Sequence, residues 1–470
     1  MFRVLGYALA TIVFLMATVL VLVWNIAELP VLAVPLALDR TLENVHIVNP
    51  GQPTLSHRTV VIEDGVIQSI KPAERKARRN IARYVMPGLI DSHVHAPRFR
   101  PDEEIFHTLY LMHGVTTVRN MGGDERVFEV ANSIKNGERI GPRTLGCGTP
   151  LDGPQGSSIA LELDAVEDAV EVVADLHESG ASCIKVYPML PPDVFLAIKK
   201  EAKKLGLPVV GRMNNRLGIE GAHMDEVHHL HGVLDVVSPG YRVGDATEWL
   251  KAWKKKFNKN RIDLAVRMAE LHGSAHVPSL VGVGYLASKK MKGIPRPKLR
   301  LLPDWYEDTN GSQYYSLKKS VRKAAKSALP RMFSTVKGLN EAGIQLMVGT
   351  DSPMDNVVPG VSVHDELALL VRAGLTPEEA LTAATSTAAK RLGLTKSGEI
   401  KEGNDADVLI FSEDPTKDLE NLKTLDEVIV AGRTYTARKL TLHQRKQIKA
   451  SRTGLYSYMN DLLPYISDFL

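Results

Sequence analysis

From residue 87 to about 393 the chain repeats one pattern, a short apolar run followed by an amphipathic helical stretch. The runs "GVTTVRNM", "SCIKVYP", "LPVVGRM" and "IQLMVGTD" alternate with "AVEDAVEVVADLHESG", "PDVFLAIKKEAKKLG" and "VHDELALLVRAG". Strand followed by helix, repeated, implies parallel strands joined by crossover helices. A stretch of this length fits a (β/α)8 TIM-like barrel. The flanks read differently. "HRTVVIEDGVIQSI" carries an Asp64-Gly65 turn signal inside alternating strand residues, and strand signals return in "GEIKEGNDADVLIFSEDP" and "LDEVIVAGRTY". The expected layout is a composite β-sandwich from 40–86 and 395–440, a barrel over 87–394 and a helical tail over 441–470.

The segment before the first strand is also informative. Residues 4–24 form a 21-residue run without charge. As a helix it would span roughly 31 Å, close to a bilayer core of about 30 Å. The competing reading is a cleaved signal peptide, but the run is long for one and no A-x-A site follows closely. The expectation is therefore a transmembrane helix within 1–28 that anchors the chain to a membrane. Arg3 before the run, and Glu28 and Asp39 after it, place the bulk of the chain outside the cytoplasm, in the periplasm of a bacterium. The net charge of +4 does not suggest a nucleic-acid partner. Two cysteines, Cys147 and Cys183, make no disulfide framework and leave the redox compartment open.

Residues 240–330 hold more than barrel elements need and read as a helical insertion. Trp249, Trp253 and Phe257 fall at i, i+4, i+8 among lysines. Such a stripe packs on a core or lies on anionic lipid, and the spacing favours packing. The segment "SPGYR" with Tyr241 is a candidate lining of the barrel mouth, and "LYSYMNDLLPYISDFL" a candidate docking helix.

The chemistry begins at "MPGLIDSHVHAP". Alternate side chains on a strand share a face, so His93 and His95 point the same way, about 7 Å apart along the strand. At the carboxyl end of a barrel strand they could hold one ion, or be two half-exposed polar residues. "GASCIKVYP" sets Lys185 inside an apolar strand, where an amine is costly unless paired, modified or snorkelled outward. "MDEVHHLHG" puts His229 and His231 on one face and His228 on the other, at least two of the three being polar rim residues. "IQLMVGTDSP" ends on Asp351, a ligand, a general base or a turn cap.

In this order the segments "VVIEDGVIQSI", "VMPGLIDSHVHAP", "HGVTTVRNMGG", "GASCIKVY", "GTDSP" and "HDELALLVRAGLTPEEALTAATSTAAKRLGL" resemble the amidohydrolase superfamily, in its imidazolonepropionase- and prolidase-like branch, over nearly all of 40–437. The resemblance implies a barrel flanked by a sandwich built from both chain ends. It implies a divalent metal, zinc foremost, that activates water for attack on an amide, cyclic amide or dipeptide. By the same resemblance His93 and His95 would hold the more buried ion, and Lys185 would be carboxylated and bridge two ions. His229 would bind the second ion. Asp351 would hold the first ion and shuttle a proton.

One position departs from this pattern. Where the family carries another histidine on the fifth barrel strand, "LPVVGRMNN" places Arg212. A guanidinium stays protonated and cannot ligate a metal. Three consequences are open. A single ion binds and Arg212 polarises the substrate carbonyl, or Asn214, His231 or His223 substitutes as donor, or the site is a degenerate binding site at the membrane. Arg212 could also simply pair with a carboxylate at the barrel mouth. The expectation is a metal-dependent hydrolase of carbon–nitrogen bonds acting on a small molecule or dipeptide.

Overall fold

The computed structural model describes residues 29–76, 82–97, 102–123, 125–154, 156–157, 159–234, 246–255, 257–288, 293, 295–306, 319–353 and 357–452. The apolar run at 4–24, the Tyr241 segment and the tail beyond 452 lie outside them. Among the described residues no helix is long and apolar enough to cross a membrane. The expected membrane-spanning helix is therefore corrected: it is no part of the described architecture, and the membrane anchoring and localisation that rested on it are withdrawn. The physical reason is that every described helix has a polar or charged side or is too short for a hydrocarbon core.

Four strands open the chain: β1 (Arg40–Ile47), β2 (Leu55–Glu63), β3 (Val66–Pro72) and β4 (Arg83–Pro87). After β4 come β5 (Leu89–Val94), β6 (Val115–Asn120), β7 (Arg143–Gly146), β8 (Leu151–Asp152), β9 (Leu161–Glu162), β10 (Ile184–Val186), β11 (Val209–Gly211), β12 (Glu226–His228) and β13 (Ala275–Val277). The last three are β14 (Val408–Phe411), β15 (Leu425–Val430) and β16 (Arg433–Thr436).

Strands from both chain ends share one seven-stranded sheet, in the order β16-β15-β14-β4-β1-β2-β3. Alternation decides where their side chains go. In β14, Val408 and Ile410 join Leu42, Val60, Ile62 and Val85 in a core of the sheet's own. Leu409 and Phe411, pointing the other way, join the large core shared with the helices. Each such buried aliphatic contributes about 1.5–3 kcal/mol.

The remaining parallel strands close on themselves. β5, β6 and β7 pair side by side, as do β10, β11, β12 and β13. Ser182 N donates to Gly146 O at 2.8 Å and joins the β10 edge to β7. On the other side residues 345–352 run between β13 and β5. Met347 N donates to His276 O at 2.9 Å, and Ser92 N to Val348 O at 2.8 Å. Eight segments thus form a ring with helices outside, which is the α/β arrangement the strand–helix alternation predicts. A disulfide between Cys147 and Cys183 ties the two segments that meet at the Gly146–Ser182 contact; the cysteine count had not anticipated that pair.

The helices are set locally. "TPEE" starts the helix Pro377–Ala383: Glu379 N donates to Thr376 Oγ1 at 3.2 Å, and Thr376 N donates back to the Glu379 carboxylate at 2.6 Å. The aromatic stripe on the helix Ala246–Lys255 turns inward. Trp253 is fully buried between Trp249 and Phe257, with ring centroids at 6.1 and 5.8 Å. The stretch read as a helical insertion also contains β13, a strand of only three residues.

Candidate metal centre

β5 runs on to His95, and residues 345–352 lie directly beside it. Asp351 N donates to His93 O at 2.8 Å and His95 N donates to Ser352 O at 2.7 Å. The close approach is built by Gly349, where a Cβ would stand 2.8 Å from His93 Cβ and 2.4 Å from Val277 Cγ1. Below the site Asp91 fastens the same two segments, accepting from Thr350 N at 2.9 Å and Thr350 Oγ1 at 2.6 Å. Burial pushes the Asp91 carboxyl up to about 7, against these hydrogen bonds. Asp351 has φ 66° and His229 φ 58°. Non-glycine residues held in this left-handed region gather at functional sites, where surrounding structure compensates the strain.

His93, His95 and Asp351 each offer one ligand atom, and the three atoms lie within 4.8 Å of one another. His93 Nε2 is 3.3 Å from His95 Nε2, and the two nitrogens lie 3.2 and 3.0 Å from Asp351 Oδ1. Burial pushes both imidazoles below their ordinary range, His93 furthest, so their ring nitrogens are neutral and carry lone pairs. Burial alone would raise the Asp351 carboxyl. The imidazoles of His229, His93 and His95 packed around it outweigh burial and hold the group well below the usual range. Two neutral imidazoles and one carboxylate converging on a single point is a donor set that fits a divalent cation.

His229 is the next neighbour, its Nε2 3.9 Å from Asp351 Oδ2 and its ring 4.6 Å from that of His93. Lys185 is 2% exposed, and burial, with Arg212 and Arg119 nearby, brings its amine down to about 7 despite Asp351. Arg212 stands at the same mouth, where its charge depresses His95, His229 and Lys185. Among the described residues no carboxylate lies within ion-pairing distance of Arg212. Its guanidinium instead sits 4.9 Å from the Tyr187 ring centroid.

The three alternative donors are engaged elsewhere. His231 stacks on Trp249, with centroids 6.0 Å apart. The Asn214 side chain donates to Leu190 O and accepts from Arg216 N and Leu217 N. His223 faces His272, ring to ring at 3.5 Å.

Sequence reasoning missed the groups behind the site. His228, one of three histidines of which at least two were expected on the rim, is fully buried, and its Nδ1 lies 2.7 Å from His93 Nδ1. Its Nε2 lies 3.3 Å from Glu226 Oε2. Glu226 forms a buried ion pair with Arg119, whose Nη1 donates to Glu226 Oε1 at 3.1 Å and whose Nε donates to Ser92 O at 3.0 Å. Burial would raise the Glu226 carboxyl, but Arg119 and His228 hold it down to about 2. Charged residues within the apolar segments around 119 and 226 were the available signal. A separate cavity of about 1280 Å³, near His113, His364 and Arg445, touches none of these residues.

The sequence pattern of the Amidohydrolase family matches residues 84–435, and the chain belongs to that family. It is a hydrolase of the class that acts on carbon–nitrogen bonds, and the family generally uses divalent metals. Among curated relatives, it is 24% identical over 399 residues to the ochratoxinase of Aspergillus niger, covering 76% of this chain and 75% of that one. Among solved structures, bottromycin amidohydrolase shares the fold with a TM-score of 0.73 at 23% identity, covering 89% of this chain and 91% of that one. A Xaa-Pro dipeptidase with bound methionine in its active site superposes with a TM-score of 0.62 at 19% identity, over 85% of this chain and 100% of that one.

Proposed function

We propose that this chain hydrolyses a carbon–nitrogen bond in a small amide, cyclic amide or dipeptide, with one divalent ion, zinc foremost, held by His93, His95 and Asp351. The observation that carries this reading is the convergence of those three ligand atoms within 4.8 Å at the mouth of the ring. Similarity to proteins named amidohydrolase and dipeptidase supports the substrate class.

A divalent ion bound there supplies Lewis acidity and lowers the pKa of water toward neutrality. The residues supply the rest. Asp351, kept ionised by the imidazoles around it, accepts the proton that water loses on adding to the carbonyl and delivers it to the leaving nitrogen. Arg212 faces the negative charge that develops on the carbonyl oxygen and takes the place of a second cation. Lys185, with an amine near neutrality, is suited to carboxylation and joins His229 in completing the donor set.

The test has two arms. Purified protein should carry about one zinc-like ion per chain, and His95→Ala should abolish it. A panel of Xaa-Pro dipeptides, N-acyl amino acids and cyclic amides should show turnover that chelator removes. Two tightly held ions would overturn the single-ion reading. A loaded protein inert toward the whole panel would point instead to a ligand-binding relative, the reading that Arg212 alone favours.

A further inference from the structure

We propose that Glu226 and His228 are positioning residues that fix the proton on the His93 ring, so that His93 Nε2 faces the candidate metal centre as a bare lone pair. The inference rests on the metal-centre reading above and concerns how this chain prepares the site.

The argument is one of donors and acceptors. A neutral imidazole has one N–H and one lone pair, on different nitrogens. His93 Nδ1 and His228 Nδ1 are 2.7 Å apart, so one must donate and the other accept. The rings are fully buried, and no water need be invoked to break the tie. His228 therefore transmits whatever is imposed on its far side. There, Nε2 lies 3.3 Å from Glu226 Oε2. An ionised carboxylate can only accept, so His228 Nε2 carries the proton. His228 Nδ1 is then the acceptor, His93 Nδ1 the donor, and His93 Nε2 is left bare toward His95 and Asp351.

The opposite setting is open to the same atoms. Arg119 Nη2 stands 3.5 Å from His228 Nε2 and could donate to it. His228 Nδ1–H would then point at His93 Nδ1, and the proton on His93 Nε2 would be donated to Asp351 Oδ1, 3.2 Å away. That setting blocks a ligand. Glu226 decides between the two because it holds both terminal guanidinium nitrogens of Arg119 and lies nearer to His228 than the arginine does. Carboxylate and imidazole partners of this kind fix the tautomer of metal-binding histidines, and losing one typically costs 10–100-fold in metal affinity.

Glu226→Gln provides the direct test, because a carboxamide can donate where the carboxylate accepts and so reverse the row. In wild-type protein labelled with ¹⁵N-histidine, the metal-free His93 ring should show its proton on Nδ1. In Glu226→Gln it should move to Nε2, and the zinc Kd should rise about 10–100-fold. His228→Leu, which removes the acceptor but keeps an apolar side chain in the buried space, should weaken zinc similarly and serves if Glu226→Gln does not fold. Wild-type protein with the proton on His93 Nε2, or folded variants that bind zinc as tightly as wild type, would overturn the proposal. Wild-type protein that shows the Nδ1 proton but binds no zinc would instead overturn the metal-centre reading and leave the proton relay standing.

Discussion

Lys185 and Arg212 approach one aromatic ring, with Lys185 Nζ 5.1 Å and Arg212 Cζ 4.9 Å from the centroid of Tyr187. Two basic side chains share a patch at the mouth of the ring, and only one of them can lose its charge. That asymmetry frames the first two predictions.

In the proposed reading Arg212 takes the place of a neutral metal ligand. Arg212→His should raise the metal content from about one to about two ions per chain, read by elemental analysis after dialysis. Arg212→Met should leave one ion in place but lower kcat by about 10²–10³-fold, the usual loss when a group facing a developing oxyanion is removed. An unchanged kcat in Arg212→Met would remove the residue from the chemistry.

Lys185 has a folded-state pKa of about 7 against an ordinary 10.5. Carbon dioxide adds to the neutral amine, releasing a proton as the carbamate forms, so carboxylation should be favoured above about pH 7 and reverse as the amine protonates below it. Incubation with ¹³C-bicarbonate at pH 8 should give a carbamate resonance that Lys185→Ala lacks and that fades on acidification to pH 6.

Arg119 and Glu226 are 1% exposed each and paired. Arg119→Met leaves a buried carboxylate alone and should cost about 3–5 kcal/mol in a denaturant titration. The pair also sets an acid limit. The Glu226 carboxyl is depressed from 4.5 to about 2 in the fold, so the unfolded chain binds its proton first as pH falls. The stability from this group is whole above about pH 4.5 and is lost progressively between 4.5 and 2. Wild-type Tm should fall over that window, and Glu226→Gln should flatten this part of the profile.

The Cys147–Cys183 disulfide closes a loop with a sequence separation of 36. In the chain-entropy account a loop of that size stabilises by roughly 4 kcal/mol. Unfolding in denaturant with and without reductant should show a loss of that order, and Cys147→Ala/Cys183→Ala should behave like the reduced protein.

Much of the site was legible because its residues break local rules. A lysine in "SCIKVYP" is costly in isolation, which marked Lys185, and two histidines on one face at the end of an apolar run marked His93 and His95. Arg212 drew attention differently, as a departure from the histidine that the family resemblance implies at that place. What stayed hidden depends on long-range closure. His228 and Glu226 sit on a strand of three residues, too short for alternation to tell barrel interior from rim. Arg119 finds its carboxylate 107 residues away, and no local pattern encodes that pairing. β13 was lost inside a helical stretch for the same reason of length. The apolar run at 4–24 fits a membrane span by count and hydropathy alone, and no described element supports building on it.

The seven-stranded sheet bears on how the chain is made. β4 is clasped between β1 and β14, and β14 begins at Val408. One residue past β4 the backbone enters β5, which leads to His93 and His95. During vectorial synthesis one edge of β4 therefore stays open until β14, more than 300 residues later in the chain, has left the ribosome. The imidazole pair is made early, but its supporting strand is locked last. A stalled or truncated translation product that ends before 408 would leave β4, one residue before the strand that carries His93 and His95, with an unzipped edge exposed to chaperones and to other nascent chains.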